Sequence, residues 1–185
     1  CCTGIISQEC VDRFAIDKKV IIRPANSASV FSPSGKLLSL KRSEPQACIV
    51  DRSAFNVSLA SQAQDSGVEY VLNSPVKNID VQDDGVRIEA GNRGGDMNVL
   101  EARALVLAAG SASKLVEGLG FGRVGDFAMG VQATVDAPGL DEVEVYLGHK
   151  IAPAFFAWLV PISPRRALVG LLARYRSGFY LKRLI

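Results

Sequence analysis

The order in which apolar periodicities change along this chain constrains its fold more than any single motif. Phe55, Leu59 and Ala63 recur at helical spacing inside a segment that Ser53 can cap and Gly67 can stop. Val68–Leu72 then reads as a short strand, and Val76–Val81, Val86–Ala90 and Met97–Glu101 alternate as a three-stranded meander. The joins are Asp83-Asp84-Gly85 and a glycine-rich stretch over 91–95, both natural hairpin connections. Ala104–Ala109 follows as an unbroken apolar run, the pattern of a strand buried on both faces of a parallel sheet. It feeds Gly110 and a Ser111–Ser113 helix start, a junction of the kind that holds ligands at the carboxyl ends of parallel strands. No glycine-rich phosphate loop precedes this run. The chain therefore reads as the middle of a larger protein, as its lack of an initiator Met also suggests.

On either side lie segments with strand periodicity. Before the helix come Val20–Ile22, Ala28–Phe31, a Ser32–Gly35 turn, Lys36–Leu40 and Ala47–Val50, preceded by a short helix over Ser7–Ala15. After Gly125 come Phe127–Val135, Val143–Leu147, Phe155–Ile162 and Ala167–Leu172, and a final helix from Ser177. The expected class is mixed α/β (α+β): part of a parallel nucleotide-binding sheet with its meander, plus an antiparallel sheet. Residues 1–15 and 50–122 are assigned to the first layer, and 16–49 and 123–185 to the second.

Composition excludes several functions. A net charge of +2 gives no electrostatic footprint for nucleic acid. The basic residues Arg165, Arg166, Arg174, Arg176, Lys182 and Arg183 alternate with apolar positions, as on a solvated face. The uncharged stretch Ile151–Ser163 is too short to span a bilayer and is interrupted by Pro153 and Pro161. Cys1, Cys2, Cys10 and Cys48 have neither zinc nor redox spacing, so reduced thiols in the cytoplasm are expected, and no metal. His149 is the sole histidine and no nucleophile-elbow motif accompanies it. The Gly118-Leu-Gly120-Phe-Gly122 run follows a helix rather than a strand, which suits a hinge and not a nucleotide loop.

Four motifs, in order along the chain, resemble the geranylgeranyl reductase family of FAD-dependent enzymes on the p-hydroxybenzoate hydroxylase fold. Cys2-Thr-Gly-Ile-Ile-Ser7 is similar to a pattern near the flavin in that family. Val50-Asp-Arg-Ser-Ala-Phe-Asn-Val-Ser-Leu-Ala60 is similar to its Val-Asp-Arg-x-x-Phe-Asp-x-x-Leu-Ala stretch. Leu105-Val-Leu-Ala-Ala-Gly-Ser-Ala-Ser113 resembles its Ala-Asp-Gly-x-x-Ser strand end, with Ala109 in place of the Asp. Phe155-Phe-Ala-Trp-Leu-Val-Pro161 and Ala167-Leu-Val-Gly-Leu171 resemble its substrate-domain signature.

The resemblance implies a flavin-dependent reduction of carbon–carbon double bonds in an isoprenoid or lipid, with FAD in the intact parent and little in this chain alone. It names no electron donor, and it implies a cytoplasmic protein in peripheral contact with a membrane. By the same resemblance Cys2 is the candidate catalytic thiol and Arg52, Gly110 and Ser113 the candidate cofactor contacts. Phe156 and Trp158, two apart on one strand, are the candidate substrate wall, apolar area without hydrogen bonds being what a prenyl chain requires. Three alternatives stand beside this reading: a flavin monooxygenase, a quinone-linked dehydrogenase of the same fold, and a non-catalytic fragment with only a hydrophobic binding surface.

Overall fold

A computed structural model describes residues 2–91, 95–110 and 113–185. In chain order the described elements are β1 (Ile5–Ser7), α1 (Gln8–Arg13), a 3-10 turn (Lys18–Val20), β2 (Ile21–Ala25), β3 (Ser27–Phe31), β4 (Leu37–Lys41), β5 (Ala47–Val50) and α2 (Arg52–Asp65). There follow β6 (Val76–Gln82), β7 (Gly85–Gly91), β8 (Met97–Ala102), α3 (Lys114–Gly118), β9 (Met129–Asp136), β10 (Val143–Leu147), β11 (Phe156–Ser163), β12 (Arg166–Ala173) and α4 (Ser177–Leu184). The chain divides into two compact units, one of Cys1–Gly67 with Ala128–Ile185 and one of Val68–Phe127.

The first unit holds two sheets. β1, β5 and β2 form an antiparallel three-stranded sheet in that order. Against it lie α1 and the start of α2, which enclose Val11, Ile16, Val20, Cys48, Val50 and Phe55. Helix starts here are fixed by side-chain oxygens that satisfy otherwise orphaned amides. Ser7 Oγ accepts from the Cys10 N–H, and Asp51 Oδ1 accepts from the N–H groups of Ser53 and Ala54. The cap of α2 is thus Asp51 and not Ser53. α2 ends where expected, with Gly67 at φ +90°. Only the first residue of its expected stripe, Phe55, is buried; Leu59 is 37% exposed. α1 stops at Arg13, two residues early, and Phe14 is 60% exposed.

The larger sheet has the order β4-β3-β10-β11-β12-β9. All its pairs are antiparallel except β3 with β10, which run parallel. The expectation of a wholly antiparallel sheet is corrected on this point: joining segments more than a hundred residues apart frees the pair from hairpin geometry. Side chains alternate between faces along each strand. On one face Ala157, Leu171 and Ala173 are fully buried with Ala152, and Tyr180, Leu181 and Leu184 of α4 pack over them. Pro161 sits on the interior strand β11 rather than at an edge. Its missing N–H is tolerated because β10 has paired no further than Leu159 and because a bulge separates Pro161 from Ser163.

The second unit contains the expected meander, β6-β7-β8, antiparallel throughout. Val86, Ala90 and Gly91 on the central strand are its buried residues among those described. Two expectations fail here. Val68–Leu72 forms no strand, and neither does Ala104–Ala109, where Val106 is 89% exposed. A parallel strand exists only as part of a ladder, and no described strand runs beside either segment. The apolar run is present, but its partner strands are not among the described residues. Extended to Gly125, the glycine run over 120–125 has literal Gly-x-Gly-x-x-Gly spacing. It nevertheless follows α3 and leads into β9, without the strand–turn–helix context such a loop needs.

Candidate functional site: an apolar sheet face and a glycine turn

The face of the six-stranded sheet opposite α4 carries the aromatic candidates. Cross-strand register places Leu38, Val30, Val145, Trp158, Gly170 and Gln132 in one row from β4 to β9. Phe156 stands two residues from Trp158 on the same face, ring centroids 5.9 Å apart and tilted by 56°. Trp158 is half-buried and Phe156 is 38% exposed. The indole lies close against β12: a Cβ built on Gly170 would overlap Trp158 Cζ2 and stand 2.6 Å from its Cε2. Trp158 Nε1–H donates to Gln132 Oε1 at 3.2 Å. A polar N–H on an otherwise apolar wall is thereby satisfied.

One step along the same face, Ala28, Leu40 and Val143 form one wall of a cleft of about 300 Å³. Ile5, Ala25 and Ala47 of the three-stranded sheet line it too, with Asn26, Gln46 and Arg42 at the polar positions. The cleft belongs to the first unit alone. The sequence reading missed it because its walls come from segments far apart in the chain. It also missed Gln132, and it gave Gly170 only a place in the Ala167–Leu171 motif and no part in seating the indole. Their signal was a glycine and a lone amide inside apolar strands, which mark close approach and a polar partner.

Cys2 is exposed and reduced, at the head of a turn in which Gly4 is buried with φ +78°. That turn is tied to β5, where the Val50 N–H donates to the Gly4 carbonyl at 2.8 Å. Arg52 opens α2 two residues further on, so the structure brings the Cys2 turn and Arg52 to one end of the small sheet. The guanidinium of Arg52 lies 5.1 Å from the centre of the Phe55 ring. By contrast the Cys48 thiol is buried beside α1, where burial, and secondarily the Asp12 carboxylate, push its pKa up. A thiol in that setting is a packing group and not a nucleophile.

Gly110 and Ser113 lie in the second unit. Gly110 has φ +76° and open space where a Cβ would stand, so its backbone is approachable. Ser113 caps α3, its Oγ accepting from the Leu115 N–H. The expected amides of Ser111 lie outside the described residues. With respect to FAD, the chain offers an open glycine and an exposed Arg at a helix start, while no described strand–loop–helix would enclose a pyrophosphate. Among the described residues no cluster of His, Cys, Asp and Glu could hold a metal ion, and no helix is long and apolar enough to cross a membrane.

Residues 39–171 match the family profile described as FAD dependent oxidoreductase. The chain belongs to that family. Among curated relatives it is 28% identical over 174 residues to a digeranylgeranylglycerophospholipid reductase of Methanocella arvoryzae, covering 88% of this chain and 44% of the relative. A relative of the same name from Methanothrix thermoacetophila is 23% identical over 179 residues, covering 92% of this chain and 46% of its own length. The chain thus spans less than half the length of these relatives. In fold it superposes on a geranylgeranyl bacteriochlorophyll reductase-like protein of Thermoplasma acidophilum with TM-score 0.82 at 21% identity, over all of this chain and 51% of that one. The flavin-dependent halogenase CmlS shares the fold with TM-score 0.69 at 16% identity, over 94% of this chain and 33% of its own. The mixed α/β architecture is therefore that of an FAD-dependent oxidoreductase.

Proposed function

We propose that the whole protein reduces carbon–carbon double bonds in the isoprenoid chain of a lipid, using FAD. The observation that carries this reading is the apolar face that runs from the cleft at Ala28, Leu40 and Val143 to Phe156 and Trp158. A prenyl chain presents no hydrogen-bonding group, so it is held by area and shape, at about 0.8 kcal/mol per buried methylene. A wall with few polar atoms suits such a chain better than it suits a small polar aromatic substrate. The names of the relatives point to the same substrate class.

When bound, reduced FAD supplies a hydride to one alkene carbon. The chain's own residues do the rest. Phe156 and Trp158 hold the chain and exclude water. The exposed thiol of Cys2 delivers a proton to the second carbon, and Arg52, Gly110 and Ser113 contact the cofactor. In this reading residues 1–15 and 50–122 derive from the cofactor side of the enzyme and 16–49 with 123–185 from its substrate side. We place the enzyme in the cytoplasm, working at a membrane surface where a lipid substrate is met.

The test is product analysis with the full-length protein, reduced by dithionite and supplied with a geranylgeranyl lipid in deuterated water. The expected product gains two hydrogens per reduced bond, both of them deuterium, since the hydrogen that reduced flavin transfers exchanges with solvent and the proton comes from it. Cys2→Ala should slow turnover while FAD content is kept. An oxygenated product would instead establish a monooxygenase. A full-length protein that retains no FAD would refute the reading. The 185-residue chain alone should emerge from gel filtration with little flavin.

A further inference from the structure

We propose that Gly170 and Gln132 are positioning residues that seat the Trp158 indole close against the sheet, and that they thereby set the room above this face for a prenyl chain. The three residues stand in register on adjacent strands: Trp158 opposite Gly170, and Gly170 opposite Gln132. Gly170 lies in a regular strand and its φ is not in the left-handed region, so the backbone there accepts any residue. What excludes a side chain is the indole itself, since a Cβ would stand 2.6 Å from Trp158 Cε2 and 2.8 Å from its Nε1. Glycine in a strand gives up both packing and backbone entropy, which marks a position where another group must approach closely. The indole that approaches is anchored at its polar edge by Gln132, with Nε1–H donating to Oε1 at 3.2 Å. Gly170 fixes the height of the ring and Gln132 fixes its rotation.

A ring seated close against the sheet leaves space above it; a ring displaced by a Cβ at position 170 fills that space. Substitution at either position should therefore alter which chains fit without touching the cofactor. This consequence rests on the prenyl reading, whereas the positioning itself does not.

Trp158 is the only tryptophan of the chain, so its fluorescence reads the position directly. Gly170→Ala should move the emission to longer wavelength and increase acrylamide quenching as the ring lifts into solvent. Gln132→Leu should change the emission too, whereas Gln132→Glu, which keeps an acceptor oxygen, should restore it. Should Gly170→Ala unfold the protein, the double variant Gly170→Ala with Trp158→Leu decides the matter: removing the ring should recover the melting temperature. Unchanged emission in Gly170→Ala, or a double variant no more stable than the single, would overturn the positioning. The ligand arm titrates geranylgeraniol and geraniol against the full-length wild type and Gly170→Ala. Affinity for the longer alcohol should fall about tenfold, as for a pocket that loses room for a few methylenes, with the shorter one little affected. A positioning effect on fluorescence with no geranylgeraniol binding to the wild type would refute the prenyl reading alone. Equal loss for both alcohols would refute the claim that this ring sets the room for the chain.

Discussion

Gly4 and Gly35 have nearly the same backbone conformation, φ +78° and φ +80°, in very different surroundings, and the contrast yields a sharp test. An alanine at Gly35 would meet no heavy atom within 4 Å. Its cost is the left-handed conformation alone, about 1–2 kcal/mol, partly offset by the reduced entropy of the unfolded chain. An alanine at Gly4 bears the same cost, and its Cβ would also stand 2.5 Å from the Val50 carbonyl oxygen, a backbone atom of a paired strand that cannot swing aside. Relief requires the turn to move off β5. That movement weakens the Val50 N–H···O=C Gly4 bond and adds about 1–3 kcal/mol of overpacking strain. Gly4→Ala should therefore destabilise by roughly 2 kcal/mol more than Gly35→Ala. Urea unfolding followed by Trp158 fluorescence measures both, because both glycines and Trp158 belong to one unit. Equal midpoints for the two variants would show that the tie between the Cys2 turn and β5 does not hold the turn in place.

Other perturbations follow from the same structure. Asp51→Ala removes the acceptor for two amides at the start of α2 and should cost about 1 kcal/mol, read in the same urea assay, with Ser53→Ala nearly neutral. Leu171→Ala, at a fully buried position beneath α4, should cost about 2–5 kcal/mol through the cavity it leaves. Tyr146 is pushed up to about 12, first by burial and then by its hydrogen bond to Glu144 and that residue's charge. Since the native state holds this proton more tightly than the unfolded chain, the stability it contributes is complete below about pH 10 and is lost as the pH rises toward 12. Ultraviolet titration should find one late tyrosine that Glu144→Gln moves to lower pH. Mass mapping after brief alkylation of the folded chain should find Cys2 labelled and Cys48 untouched until urea is added; early labelling of Cys48 would contradict its burial.

The elements readable in the sequence are those whose cause is local. Asp83-Asp84-Gly85 specifies a hairpin whatever surrounds it, and the meander formed as its alternation required. Gly67 ends α2 for the same kind of reason. Where two capping residues competed, Asp51 captured two amides from a position upstream of Ser53, and the helix began there. Ala104–Ala109 was misread because continuous apolarity records what a segment would bury against, not whether a neighbour lies beside it. A parallel strand has no structure of its own to declare. The candidate site divides along the same line. Phe156 and Trp158 were visible as an aromatic pair on one strand, since period two is local. The features that give the pair its shape are not local: Gly170 beneath the ring, Gln132 at its edge, and the Ile5, Ala28 and Val143 walls of the neighbouring cleft. Gly170 and Gln132 meet the indole through the antiparallel register of β11, β12 and β9, and Ala28 meets Val143 because β3 and β10 pair in parallel. That parallel register, with Ala28 opposite Val143 and Val30 opposite Val145, makes the cleft and the tryptophan face one continuous surface. If the surface binds a substrate, its specificity is set by strand pairing as much as by the aromatic residues on display.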